Sequence, residues 1–247
     1  MPVVSTAVEF LDLSEPPERV LVVVAHPDDI DFGIAGTMAR LTKAGSTVTY
    51  CLVTSGEAGA PEDLPRAEVA ALRQREQTAA AAEVGVTDLR FLGQPDGHLT
   101  PSLELRREIS RVIRETRPAL VVTQSPERRW DRIYASHPDH LAVAEATIAA
   151  VYPDARNPHA HPELLAEGHE PHAVPELWVT GLEPLDVFVD ITDVFDRKVA
   201  ALEAHASQTA ERFDVRSLLH DWAASVTLQN NLSQDRLTEA FRRIATA

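Results

Sequence analysis

The chain has 247 residues, a formal net charge of −15 at neutral pH and one cysteine. That length suits one sizeable α/β core rather than several full domains, and the acidity argues against nucleic acid or anionic lipid as a partner. A single cysteine excludes an intramolecular disulfide and any cysteine-rich metal cluster.

The opening MPVVSTAVEF lacks the basic start and apolar run of a signal peptide, and no later stretch is long enough to span a bilayer. The expectation is a cytoplasmic protein with no membrane insertion. The first predicted strand is the run of β-formers over 20–25, which passes without a spacer into His26, Pro27, Asp28 and Asp29. A helix is predicted over 33–44 from the spacing of Ile34, Met38 and Leu41. The second strand, 47–54, carries Cys51 as a small buried apolar residue. A long helix over 65–84 stops at Gly85, a strand follows at 89–92, and a helix over 103–115 is limited by Pro118.

The fourth strand is 120–123, and Pro138 is placed to start a helix that continues to about 151. Residues 152–176, rich in proline and including His159, His161, His169 and His172, are expected to form a long substrate-gating or interface loop. Strands at 177–180 and 187–189 precede a helix over 193–206, and the tail to Ala247 carries further helical pattern. This alternation predicts βαβ units around a mostly parallel sheet, in one domain over 1–247 with a core of about 19–208 and a helical tail of about 209–247.

His26, Asp28 and Asp29 therefore stand at the carboxyl end of a predicted strand, the edge where open parallel sheets bind ligands. One reading makes the two carboxylates caps of the next helix. The other gathers them with the imidazole around a cation. His137, Pro138, Asp139 and His140 form a second constellation before a helix. One of these histidines can complete a two-His, one-Asp ligand set while the other faces an open coordination position.

AHPDD, GIAGTMARL and SHPDH, together with TSGEAG, Arg73 and Glu76 in an RxxE pattern, FLGQPDGHL and VDITDVFDRKVAALEAHASQ, span the chain from Val20 to Gln208. In these motifs it resembles the LmbE-like (PIG-L) family of zinc-dependent N-deacetylases. The resemblance implies a Rossmann-like α/β fold with its site at the carboxyl edge of the strands. It also implies one zinc per chain on His26, Asp29 and His140, with iron as the alternative metal in the cell. Asp28 matches the general base and His137 the group that stabilises the oxyanion or protonates the leaving amine. Arg73 and Asp96 match positions that bind sugar hydroxyls; independently of the resemblance, Asp139 is placed to orient a histidine ligand, as carboxylates behind metal ligands often do, and Glu57, after the second predicted strand, to line the same rim. For Arg73 the competing reading is a surface ion pair near Glu76, and for Asp96 it is turn chemistry in QPDG.

The pattern departs in two places: Ile30 stands where many members carry glutamate, the acid coming at Asp31, and Tyr134 lies three residues before His137 rather than two. Tyr134 is therefore left out of the catalytic set. His205 is expected either near the pocket or, as helical histidines commonly are, in solvent. The implied function is removal of an N-acetyl group from an N-acetylglucosamine-type moiety of a small glycoside, lipid or secondary metabolite. The partners are then a small amino-sugar conjugate and other copies of the chain in a homo-oligomer. The alternatives are an amidase cleaving larger amide conjugates, like mycothiol-conjugate amidase, and a non-catalytic sugar- or nucleotide-binding module. The last lacks the glycine-rich fingerprint after the first strand.

Overall fold

The computed structural model describes residues 9–133, 136–210 and 213–246. In chain order the elements are β1 (Arg19–Val24), α1 (Asp29–Gly33), α2 (Ala35–Ala44), β2 (Thr47–Thr54), α3 (Arg66–Glu83) and β3 (Asp88–Gln94). They continue with α4 (Leu103–Thr116), β4 (Leu120–Thr123), α5 (Pro138–Ala149), α6 (Pro162–Ala166), β5 (Glu176–Thr180) and β6 (Val187–Asp190). The chain ends with α7 (Phe195–Glu203), α8 (Ala206–Thr209), α9 (Val215–Gln229) and β7 (Thr238–Ala245). The sheet order is β3-β2-β1-β4-β5-β7-β6, parallel from β3 through β5, with β7 antiparallel to both its neighbours.

β1 is central and buried on both faces, which is why it reads as an unbroken apolar run. Val20, Val22 and Val24 face one layer with Met38, Leu41, Val199 and Leu202; Leu21, Val23 and Ala25 face the other with Ile109, Ile113 and Val143. Helices thus cover both sides of the sheet. The chain leaves β1 towards β2 on one side and later returns to β4 on the other, so the carboxyl ends of β1 and β4 flank the point where strand order reverses. In such sheets that point is a crevice. Among the described residues no helix is long and apolar enough to cross a membrane.

The tail departs from expectation. Residues 215–229 are helical, but 238–245 form β7, inserted between β5 and β6. Glu239, Arg242 and Arg243 interrupt its apolar pattern, and Ala, Glu and Arg favour helix. Pairing on both edges overrides that propensity. Glu239 is buried there because its carboxylate meets Lys198 Nζ at 2.5 Å and accepts from the amides of Gly36 and Thr37 at 3.1 and 2.6 Å. Lys198 also donates to the Phe32 carbonyl at 3.0 Å, tying β7 and α7 to α1 and α2. Breaking a buried pair strands a charge, so Glu239→Gln is expected to lower unfolding stability by about 3 kcal/mol or more, read as a shift in the denaturation midpoint.

Residues 152–176, expected as a long substrate-gating or interface loop, are partly helical. The chain kinks at Tyr152, where the backbone is extended, then forms α6, and the segment packs beside α4: Arg106 binds Asp154 through two 2.8 Å bonds, and Arg114 donates to the Asp154 and Asn157 carbonyls. His172 reaches the Pro118 carbonyl at 2.8 Å, next to the amino end of β4 and so away from the edge that carries His26. Cys51 is buried in β2, and burial pushes its thiol up to about 12. A thiol reagent should accordingly find no reactive group in the native protein and one per chain after denaturation.

Candidate active site

β1 ends at Val24 and delivers His26 to the sheet edge, while α5 begins at Pro138 and presents His137, Asp139 and His140 to the same place. Asp28 is held at φ +91°, a left-handed conformation that costs a non-glycine residue of order 1–3 kcal/mol. Three bonds enforce it. Its amide donates to Gln77 Oε1 at 2.9 Å, its carbonyl accepts from Asp31 at 2.9 Å, and its carboxylate meets Arg73 Nη2 at 2.9 Å. Its side chain makes no cap bond to α1, so the helix-capping alternative does not describe it.

His26 Nδ1, His140 Nε2 and the Asp29 carboxylate form a triangle: Nδ1 to Nε2 is 3.2 Å, Nδ1 to Oδ2 is 3.6 Å, and Nε2 to Oδ1 is 3.0 Å. The opposite edge of the His26 ring faces carboxylates, with Nε2 3.0 Å from Asp96 and 3.4 Å from Asp139. In the neutral ring those acceptors hold the proton on Nε2, so that a cation displacing the second proton would meet the Nδ1 lone pair between Asp29 and His140. Asp139, whose direction sequence could not supply, thus serves His26. It is fixed in turn by the amides of Gly97 at 2.7 Å and Leu99 at 3.2 Å.

His137 is the N-cap of α5, and its Nδ1 accepts from the Asp139 amide at 3.3 Å. An accepting Nδ1 puts the ring proton on Nε2. The ring nitrogens of His26, His137 and His140 lie within 4.8 Å of one another, as do the donor atoms of His26, Asp96 and Asp139. The cap commits His137 Nδ1 and leaves its Nε2–H as a donor, while the Asp29 carboxylate stands against both His26 and His140.

The donor set fits a divalent cation. Asp29, Asp96 and Asp139 crowd two imidazoles, an excess of negative charge with mixed N and O donors of the kind zinc takes. Burial alone would depress the His26 imidazole, but its bonds to Asp139, Asp29 and Asp96 outweigh burial and push it up to about 12. The same field favours any cation. Burial would raise Asp96, yet His26 and the Ala58 amide hold it at about 2. Burial also raises Asp28, to about 6, against the opposing charge of Arg73.

These residues line a cleft of about 400 Å³ that contains His26, Asp28, Asp29, Arg73, Asp96, His137 and His140. All seven site residues expected from sequence come together, though two with altered surroundings. Arg73 is buried on α3 rather than paired with Glu76 at the surface: it donates to the carbonyls of Gly56 and Pro27 as well as to Asp28. Gly56, at φ +66°, lies against the guanidinium, and a Cβ there would collide with it. Asp96 points at His26, and its amide is bound by Glu57 at 2.8 Å.

His205 is fully buried instead of exposed, with Nε2 2.8 Å from Asp31 Oδ2. Gln77 bridges that carboxylate to the Asp28 amide, so α8 and α3 together support the loop. The sequence carried a signal for this: Arg73, Glu76 and Gln77 occupy inward positions of a helix whose other inward residues, Val69 and Ala80, are apolar. Tyr134 lies outside the described residues.

Residues 21–151 match the family model described as PIG-L, GlcNAc-PI de-N-acetylase. The chain belongs to the PIG-L family. A "probable N-acetyl-alpha-D-glucosaminyl L-malate deacetylase 2" of Bacillus anthracis is 33% identical to it over 218 residues, 85% of this chain and 88% of the relative. Diacetylchitobiose deacetylase of Thermococcus kodakarensis is 33% identical over 227 residues, 91% of this chain and 82% of the relative. Among solved structures, N,N'-diacetylchitobiose deacetylase from Pyrococcus horikoshii, 27% identical, superposes with a TM-score of 0.85 over 95% of this chain and 88% of its own. This PIG-L chain therefore carries the family's fold over nearly its whole length.

Proposed function

We propose that the chain is a zinc-dependent N-deacetylase that hydrolyses the acetamide of an N-acetylglucosamine-type unit in a small amino-sugar conjugate. The observation that supports this most strongly is the convergence of His26, Asp29 and His140 beside an independent carboxylate, Asp28, in one cleft. Relatives named for deacetylating glucosaminyl malate and diacetylchitobiose point to the same substrate class.

His26, Asp29 and His140 would hold the zinc. When bound, the ion supplies Lewis acidity to the amide carbonyl and makes water more acidic. Asp28 accepts the proton of the attacking water, its carboxylate aimed by Arg73 and its backbone by Gln77. His137 presents Nε2–H to the oxygen that gains charge or to the departing nitrogen, because its Nδ1 is committed to the cap of α5. Asp96 and Asp139 hold the His26 ring by its far nitrogen. Arg73 and Asp96 also face the cleft, where a sugar's hydroxyls would lie.

Asp139→Asn should weaken zinc binding by about 10–100-fold, measured by competition with a chromophoric chelator, because the His26 ring then loses one of its orienting charges. The function itself is tested by acetate release from N-acetylglucosamine, N,N'-diacetylchitobiose and N-acetylglucosaminyl malate. Stoichiometric acetate and free amine from one of them support it. Absence of acetate from all three, with zinc bound, contradicts it.

A further inference from the structure

A second cavity, of about 480 Å³, adjoins the cleft and shares Asp29, Phe32 and His140 with it. Its character differs from that of the cleft. Val24, Phe32, Ile34 and Trp222 form its walls, and the Phe32 and Trp222 rings stand 6.1 Å apart across α1 and α9. Its uncharged polar lining is Thr123, Gln124 and Thr180, of which Thr123 donates to the Val23 carbonyl at 2.9 Å and Gln124 Oε1 accepts from the Ala25 amide at 3.3 Å. Such walls offer contact area to an alkyl group and little hydrogen bonding to a sugar ring. A smaller hollow of about 220 Å³ shares Phe32, Ile34 and Trp222 with it and is lined further by Leu219, Val226 and the Lys198–Glu239 pair.

An amide has two sides. With its carbonyl at Asp29 and His140, the polar side of the cleft, with Asp28, Arg73, Asp96 and Gln208, suits the hydroxylated amine. The other side then faces the apolar groove. We propose that this groove is an acyl subsite, and that the enzyme hydrolyses amino-sugar amides whose acyl group is an alkyl chain longer than acetyl. This rests on the reading of the cleft as an amidohydrolase site. Water adds to the amide carbonyl, the C–N bond breaks, and the products are the fatty carboxylate in the groove and the protonated amine in the cleft.

Gly33 gives the test its handle, because it lines the groove and an added Cβ there meets open space. Hydrolysis of N-hexanoyl- and N-acetylglucosamine is compared in wild type, Gly33→Phe and Trp222→Ala, and binding of hexanoate alone is measured by calorimetry. In wild type kcat/KM for the hexanoyl amide should equal or exceed that for the acetyl amide. Gly33→Phe should lower the hexanoyl-to-acetyl ratio by roughly 10-fold or more and abolish hexanoate binding. Trp222→Ala, at a half-exposed position, should raise KM for the hexanoyl amide more than for the acetyl amide, and it serves if the phenylalanine variant does not fold. Acetate release without hexanoyl hydrolysis or hexanoate binding overturns the acyl subsite and leaves the deacetylase reading intact. Hexanoate binding that Gly33→Phe removes, without hydrolysis of either amide, supports the groove and overturns the reaction assigned to the cleft.

Discussion

Asp28→Asn is expected to lower kcat for acetate release by roughly 10²–10⁴-fold, the usual contribution of a positioned proton acceptor, with zinc content at the wild-type level. The substitution is clean for structural reasons. Asparagine tolerates the left-handed backbone that Asp28 adopts, its amide oxygen can still accept from Arg73, and the backbone bond to Gln77 is untouched. The ability to take up a proton is removed, together with the charge that faces the buried Arg73, so the melting temperature of the variant is measured beside its turnover. Parallel measurement of turnover and metal content separates this role from metal binding: a variant that keeps both zinc and full turnover would remove Asp28 from the mechanism.

His140→Ala should have the opposite signature, losing zinc and turnover together. His140 Nε2 stands 3.0 Å from Asp29 and 3.2 Å from His26, so its removal opens the triangle. Against the cost of burial, His140 and, after it, His26 hold the Asp29 carboxyl well below its ordinary value, and the substitution removes the first of these. Loss of a direct ligand should cost more than the ~10–100-fold that removing an outer partner costs. Zinc content by elemental analysis and the melting temperature of the metal-free protein check this. The fold should survive, because His140 is partly exposed at the start of α5 and takes no part in either apolar layer.

Much of this arrangement could be read from sequence because it is local. The βαβ rhythm through α5 showed itself as apolar runs and helical spacing, and the HPDD and HPDH stretches each placed their polar residues at an element boundary. What escaped depended on partners distant in the chain. β7 reads as helix until its pairing with β5 and β6 is known, and Glu239 looks like a surface residue until Lys198 and the α2 amides surround it. Asp139 is one residue from His140 yet serves His26, a choice made by how α5 meets β1. Residues 152–176 have a loop's composition, but their arginine and histidine contacts hold them beside α4 and at the amino end of β4. His205 is buried for a similar reason, its partner Asp31 being 174 residues away.

One zinc on His26, Asp29 and His140 is proposed to turn this cleft into an amidohydrolase site. The most direct test is to strip the protein with a chelator and titrate it with zinc while following acetate release from the best N-acetylglucosamine substrate. Activity should be absent without metal and rise linearly to a plateau at one equivalent per chain in wild type, with no recovery in His140→Ala. Full activity in the stripped protein, or recovery by His140→Ala at the same stoichiometry, would contradict the claim.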